Sequence, residues 1–308
     1  MTQPHAPQGL GRPPTRDLGI LAIALLAVST SGPLIAATAV PALAISFWRN
    51  AMAGAVLAPV VLLRRRQELR SLDRRERRLA LLAGLLLALH FATWVPAVTM
   101  TTVASATALV GTQPIWSALI AKARGEVVSR QVWLGIAVAI SGALLLTGAD
   151  FAVSGRALVG DLLALVGGAF AASYMAAGSE VRRSVSTTTY TAVCYSTTAV
   201  LLLLTCVVGR QDLWGYAGID WWKLVALTAG AQLLGHSLFN VVLKTTSPTV
   251  VSMSILFEIP GAALIAALFV ADQHVPWLAV PAAVLLLTGL GIVIRAAGRA
   301  TEPSIPAE

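Results

Sequence analysis

Ten apolar runs of membrane-spanning length, separated by short polar breaks, constrain this chain more than any other feature. They fall at 18–37, 42–63, 79–100, 103–121, 132–149, 161–179, 188–208, 222–243, 249–271 and 277–296. An α-helix of about 20 residues crosses the roughly 30 Å hydrocarbon layer of a bilayer. Runs this long and this uniformly apolar must be helices, because an open strand in lipid would leave its backbone groups unpaired. With 57% hydrophobic and only 12% charged residues, the 308-residue chain has too little polar surface to coat a soluble globule. The expected fold is an all-α polytopic membrane protein with ten transmembrane helices.

The net charge of +8 is segregated, so it reads as a topology signal. With the N-terminus inside, 18 of the 22 Lys and Arg residues fall on the cytoplasmic side, including the segment RRRQELRSLDRRERR at 64–78. Only Arg156, Arg210 and Lys223 fall on the other side, and Arg49 lies within a span. Both termini are therefore expected in the cytoplasm, with the arginine-rich loop against the anionic inner leaflet. No basic stripe is interleaved with aromatic residues, so nucleic acid is not an expected partner. The N-terminal apolar run exceeds the 7–15 residues usual for the core of a secretory signal and is read as the first span. Cys194 and Cys206 are too far apart along one helix to bond each other, and neither a disulfide nor a metal or other cofactor is expected. Trp214, Tyr216, Trp221 and Trp222 suit an interfacial aromatic belt.

The chain also repeats itself. A shift of 144 to 146 residues carries Asp17 onto Asp161, Arg49 onto Tyr195, His90 onto His236, Pro114 onto Pro260 and Glu126 onto Asp272. Each half holds five spans, and an odd number makes the second half enter the membrane from the opposite side. The expected organisation is a cytoplasmic tail at 1–17, five-helix repeats of inverted topology at 18–149 and 150–296, and a second cytoplasmic tail at 297–308.

Polar groups concentrate in spans three, four, eight and nine. His90 and Trp94 are four residues apart on one face of span three, and Gln232, His236 and Asn240 share a face of span eight by the same spacing. Gln113 and Glu258 lie beside the paired prolines Pro114 and Pro260, which are expected as hinges. Since lipid disfavours polar groups, these residues predict a central cavity between the halves, although each could instead bond a neighbouring helix. Glu258 is the leading candidate, because an intramembrane carboxylate costs several kcal/mol unless paired, protonated or hydrated. Tyr174 in span six and the Ser29–Pro33 break in span one are expected to complete the cavity wall. Arg49 lies about 10 Å inside the outer end of span two, within snorkelling reach of the interface. It is also the candidate charge partner for a carboxylate or an anionic substrate group.

The motifs ISFWRNAM around Arg49, HFATWVPAV from His90, TTVASATALVGTQPIWSALI through Pro114, GHSLFNVVL from Gly235 and the segment 258–272 resemble the drug/metabolite transporter superfamily, specifically its EamA-type ten-helix transporters. The chain departs from that pattern where Ile259 separates Glu258 from Pro260, and at Ala271-Asp272 and AKARGE. The resemblance implies two inverted repeats around a central pathway, an inner-membrane location, and movement of small metabolites such as amino acids or related amphiphiles, often outward. Secondary transport by alternating access is the expected function, with no enzymatic activity. Small-molecule substrate, a coupling proton and membrane lipids are the expected partners, and a homodimer is an open expectation. The rival readings are a non-transporting sensor or assembly subunit and an integral-membrane enzyme acting on lipid-linked substrates.

Overall fold

A computed structural model describes residues 13–101, 103–147, 154–269 and 278–299. His5, Asp272 and His274 lie outside these residues, as do both extreme termini and the ends of spans five and nine. The described residues form α1 (Thr15–Val28), α2 (Ser31–Ala36), α3 (Ala42–Arg64), α4 (Arg66–Ser71), α5 (Arg74–Met100), α6 (Val103–Val110), α7 (Gln113–Ala123) and α8 (Arg130–Thr147) in the first half. The second half holds α9 (Gly155–Val181), α10 (Thr187–Val208), α11 (Gly218–Leu227), a π-helical segment (Thr228–His236), α12 (Ser237–Val242), α13 (Pro248–Ile255), α14 (Glu258–Phe269) and α15 (Ala279–Arg299).

These elements make ten spans. Three of them are broken: α1 and α2 form span one, α6 and α7 span four, and α13 and α14 span nine. Span eight runs from α11 through the π segment into α12. Six spans are long and apolar enough to cross a membrane by length and composition alone, and the two broken spans four and nine, with α8 and α15, complete the two five-helix repeats.

Polar caps make several helices longer than their apolar runs. α5 starts at Arg74 instead of 79 because Asp73 and Glu76 form a capping box, with Glu76 N–H donating to Asp73 Oδ1 at 2.7 Å and Asp73 N–H to Glu76 Oε2 at 2.9 Å. α9 starts at Gly155 because the Ser154 hydroxyl accepts from Ala157 N–H. α1 starts at Thr15, so Asp17, expected in a tail, sits buried in the first turn of a helix.

The packing follows the repeat. α5 of span three lies along α9 of span six, and in the mirrored pairing span eight lies against α1. α3 packs on α10, and α8 on α15. The α8–α15 crossing is close enough to require glycine: a Cβ on Gly135 would stand 2.7 Å from Gly289 O. The larger core cluster draws residues from spans one to four and six to nine, and a smaller one joins α7, α8, α13, α14 and α15.

Acidic residues anchor the arginine-rich loop to the second half. Glu68 on α4 accepts hydrogen bonds from Ser186 N–H, Ser186 Oγ and Thr189 Oγ1, each at 2.7 Å, at the N-terminus of α10. Burial pushes its pKa up, but these bonds and that from Arg65 outweigh burial and pull it down to about 2. A carboxylate at a helix N-terminus also meets the positive end of the helix dipole. Glu180 pairs with Arg75 and Arg183 at 3.2 Å each. The loop is thus a structural clasp as well as a concentration of positive charge.

Candidate transport site

The site is assembled where the breaks of the repeated spans meet. In span four the helix stops at Gly111-Thr112 and restarts at Gln113; in span nine it stops at Leu256-Phe257 and restarts at Glu258. Gln113 and Glu258 therefore hold the same place, the first residue of a second half-helix. Pro114 follows at the second position of α7 and Pro260 at the third of α14, within the first turn, where a missing N–H costs little. Both prolines begin half-helices instead of kinking continuous ones. The two breaks touch, since a Cβ on Gly111 would stand 3.1 Å from Leu256 Cδ2.

Between them lies a narrow cavity, whose unfilled space together with its opening to solvent comes to about 440 Å³. Its polar wall is Ser31, His90, Trp94, Gln113, Tyr174, His236 and Glu258, and its apolar wall includes Val28, Met175 and Phe239. His90 Nδ1 meets Gly167 O at 3.0 Å, which requires the proton on Nδ1 and leaves Nε2 an acceptor in the neutral ring. The imidazole stacks on Trp94 with centroids 5.9 Å apart and planes 8° apart. Trp94 Nε1, Gln113 Oε1 and His236 Nδ1 are buried with no protein hydrogen-bond partner.

Arg49 does not snorkel. Its side chain is 0% exposed, its guanidinium carbon stands 4.3 Å from the Phe91 ring centroid, Nε donates to Gln232 Oε1 at 2.9 Å, and Nη1 donates to Ser31 Oγ at 3.3 Å. The remaining nitrogen, Nη2, has no hydrogen-bond partner among the described residues. Gln232 in turn donates Nε2 to Asn50 Oδ1 at 3.1 Å, and Asn50 donates Nδ2 to Ser46 O at 2.9 Å. Desolvated side chains and an aromatic face hold the cation inside the bundle, where a path to the interface would leave Gln232 and Asn50 unsatisfied. Arg49 makes no ion pair among the described residues.

Comparison with known proteins places this geometry. A family model described as "EamA-like transporter family" matches the chain twice, at residues 17–148 and 158–295. The chain belongs to the EamA-like transporter family. The two matches coincide with the two five-helix halves of an EamA-like fold. A solved structure named only "Crystal structure of protein" is 21% identical, with a TM-score of 0.74, over 94% of this chain and 99% of that one, which establishes likeness of fold. None of the curated proteins matches.

Within this EamA-like scaffold the structure brings His90, Trp94, Gln113, Tyr174, His236 and Glu258 to one cavity, while Asn240 stands behind it. Asn240 donates Nδ2 to Tyr174 Oη at 2.6 Å and to His236 O at 2.8 Å, so it supports the wall without lining it. Gln232, within the π segment, bonds Arg49 and Asn50 of α3, while His236, four residues on, lines the cavity. The sequence reading did not pick out Asn50 or Ser46. Their signal was present as polar residues beside Arg49 in an otherwise apolar span.

Proposed function

We propose that this EamA-like protein is a secondary transporter that exports small metabolites, such as amino acids or related amphiphilic compounds, by alternating access at the midplane cavity. The observation that carries this reading is a set of polar atoms without partners, Trp94 Nε1, Gln113 Oε1 and His236 Nδ1, around one cavity at the meeting point of two helix breaks. Buried polar atoms are normally paired, so such a set is placed to meet water or a solute. The family membership supports transport, and the outward direction rests on the resemblance to EamA-type transporters. The segregation of Lys and Arg supports cytoplasmic termini in a multi-pass inner-membrane protein.

Glu258 has the central role in this reading: it binds a substrate amine or carries a coupling proton. Aromatic and apolar walls from Trp94, Phe239 and Met175 fit the apolar part of an amphiphile. The solute is identified by comparing cell and medium metabolites between deletion and overexpressing strains. Its flux into proteoliposomes is then measured with and without a pH gradient. Glu258→Gln is expected to abolish the response to the gradient and to lower flux at least tenfold. Wild-type flux with wild-type pH dependence, at equal protein level, overturns the role of Glu258. Absence of flux for every solute favours the sensor or assembly-subunit reading.

A further inference from the structure

The arginine-rich face of the bundle borders a second cavity, which shares no residue with the midplane one. It is a groove between α3 of span two and α10 of span seven. Ala58, Val61 and Leu62 form one wall, Ala192, Val193 and Ser196 the other, and Leu69 of α4 borders it beside the loop. The two helices touch at Gly54, where a Cβ would stand 3.2 Å from Ser196 Oγ, and the groove lies between that contact and the face where α3 ends and α10 begins. Its volume is about 180 Å³, more than ten times the roughly 10–15 Å³ that admits one water.

The walls suit hydrocarbon. Ser196 is the one polar residue among them, so water in the groove would find almost no hydrogen-bond partner. Ala58 precedes Arg64 by six residues, which carries the groove about 9 Å from the polar face into the span by helix rise. At the opposite end of α3 the chain covers itself, because Trp48 packs edge-on against Trp214 and Trp221 with centroids 4.7 and 5.0 Å away. At the α4 end no aromatic side chain among the described residues lines the groove.

Charge beside the groove is unbalanced. Glu68 is taken up by Ser186 and Thr189, and Asp73 and Glu76 by their capping box. Arg65 also pairs with Glu68, at 3.3 Å, but Arg64, Arg66 and Arg70 are exposed and make no ion pair among the described residues. Arg66 and Arg70 are four residues apart on one face of α4, and Leu69 lies between them in sequence. An apolar groove with free guanidinium groups within one turn of it fits an amphiphile with an anionic head, and the planar donor fork of arginine matches phosphate oxygens.

We propose that this groove binds one anionic phospholipid, with an acyl chain between α3 and α10 and the phosphate held by Arg66 and Arg70. The inference rests on the membrane-spanning fold and not on the transport reading. A topology signal accounts for positive charge anywhere along residues 64–78, but it requires no groove beside α4. The bound lipid touches elements of both repeats next to the Glu68 clasp, so it braces α4 against α10 and stabilises the folded chain.

The test is thermal unfolding of the full-length protein in detergent, titrated with dioleoylphosphatidylglycerol or with dioleoylphosphatidylcholine, and the quantity read is the lipid mole fraction that gives half the rise in Tm. The anionic lipid should act at a mole fraction at least tenfold lower than the zwitterionic one. Arg66→Gln with Arg70→Gln should bring the two lipids within about twofold, as expected when two arginines near an anionic headgroup are lost. Arg74→Gln with Arg78→Gln removes the same charge from α5, which does not line the groove, and should keep the preference. Ala58→Phe fills the groove and should weaken the anionic lipid at least tenfold, whereas Val56→Phe, outside it on the same helix, should not. Glycerol phosphate, a head without a chain, should leave Tm unchanged, and this measurement keeps the test decisive if Ala58→Phe does not fold. Equal action of the two lipids on the parent, or equal loss from both arginine pairs, overturns the headgroup site. Full response of Ala58→Phe to the anionic lipid, or stabilisation by glycerol phosphate, overturns the acyl-chain site.

Discussion

Replacing Gln232 with Leu tests whether the buried cation is held by the network described above. The substitution keeps the side chain's approximate size and removes two hydrogen bonds, from Arg49 Nε at 2.9 Å and to Asn50 Oδ1 at 3.1 Å. In water-soluble proteins a bond to a charged group contributes about 1.5–3 kcal/mol and a neutral one about 1 kcal/mol. Within membranes measured values fall to about 0.6–1.7 kcal/mol per bond, because the unfolded chain in lipid also finds partners. Arg49 keeps Ser31 Oγ and the Phe91 face, so the loss does not reach the 3–5 kcal/mol typical of a fully unpaired buried charge. The expected cost is about 2 kcal/mol, which lowers Tm by roughly 3 °C for a chain of this size. The assay is thermal unfolding of detergent-purified protein in a double-mutant cycle with Arg49→Met. In the Arg49→Met background only the Asn50 bond remains to be lost, so Gln232→Leu should cost at least about 1 kcal/mol less. Additivity within about 0.4 kcal/mol would show that Arg49 and Gln232 are uncoupled and would refute the network.

Three further outcomes are expected. Gly135→Ala forces a methyl group to 2.7 Å from Gly289 O and should cost about 1–3 kcal/mol in thermal unfolding, whereas Gly19→Ala, with nothing within 4 Å, should cost nothing. Glu68, whose pKa falls from an ordinary 4.5 to about 2, contributes stability that is complete above pH 4.5 and lost as the pH falls toward 2. Glu68→Gln should therefore lower Tm at pH 7 and flatten the Tm–pH profile across that window. If Asn240 acts through Tyr174, Asn240→Ala should raise the substrate concentration for half-maximal flux in the wild type but add little in a Tyr174→Phe background, as read in proteoliposomes.

Hydropathy and charge made the spans legible because both report directly on the solvent each segment faces. The landmark shift made the repeat legible, since Pro114 and Pro260, or His90 and His236, survive where general identity does not. Periodicity set Gln232, His236 and Asn240 at four-residue spacing but could not show that Gln232 meets Arg49 and Asn50 while Asn240 meets Tyr174, because those partners lie on other spans. Arg49 was placed within span two but not in the right direction. Depth follows from position along a helix, whereas direction depends on Gln232 and Phe91, which lie on other spans. The Glu68 clasp was hidden for a related reason: among eight arginines its charge looked like local compensation, and its partners Ser186 and Thr189 lie more than a hundred residues away.

The halves share a geometry but not a charge, and this difference bears on how one site can serve two faces. Gln113 and Glu258 each begin a half-helix and line the cavity, so the positive ends of two helix dipoles lie beside it. At α14 the Glu258 carboxylate can offset that charge; at α7 the neutral Gln113 leaves it standing, and Arg49 adds a full positive charge on the side of Ser31 and span eight. The cavity is thus polarised, with its single carboxylate on span nine. An exchange of conformations between the halves would reverse which face is open without moving that carboxylate to span four. A solute with a positive and a negative end would keep the same orientation relative to spans four and nine in both states, and its release would be governed by the opening of a face. On the proposed reading, this separates the chemistry that binds, centred on Glu258, from the symmetric elements that move.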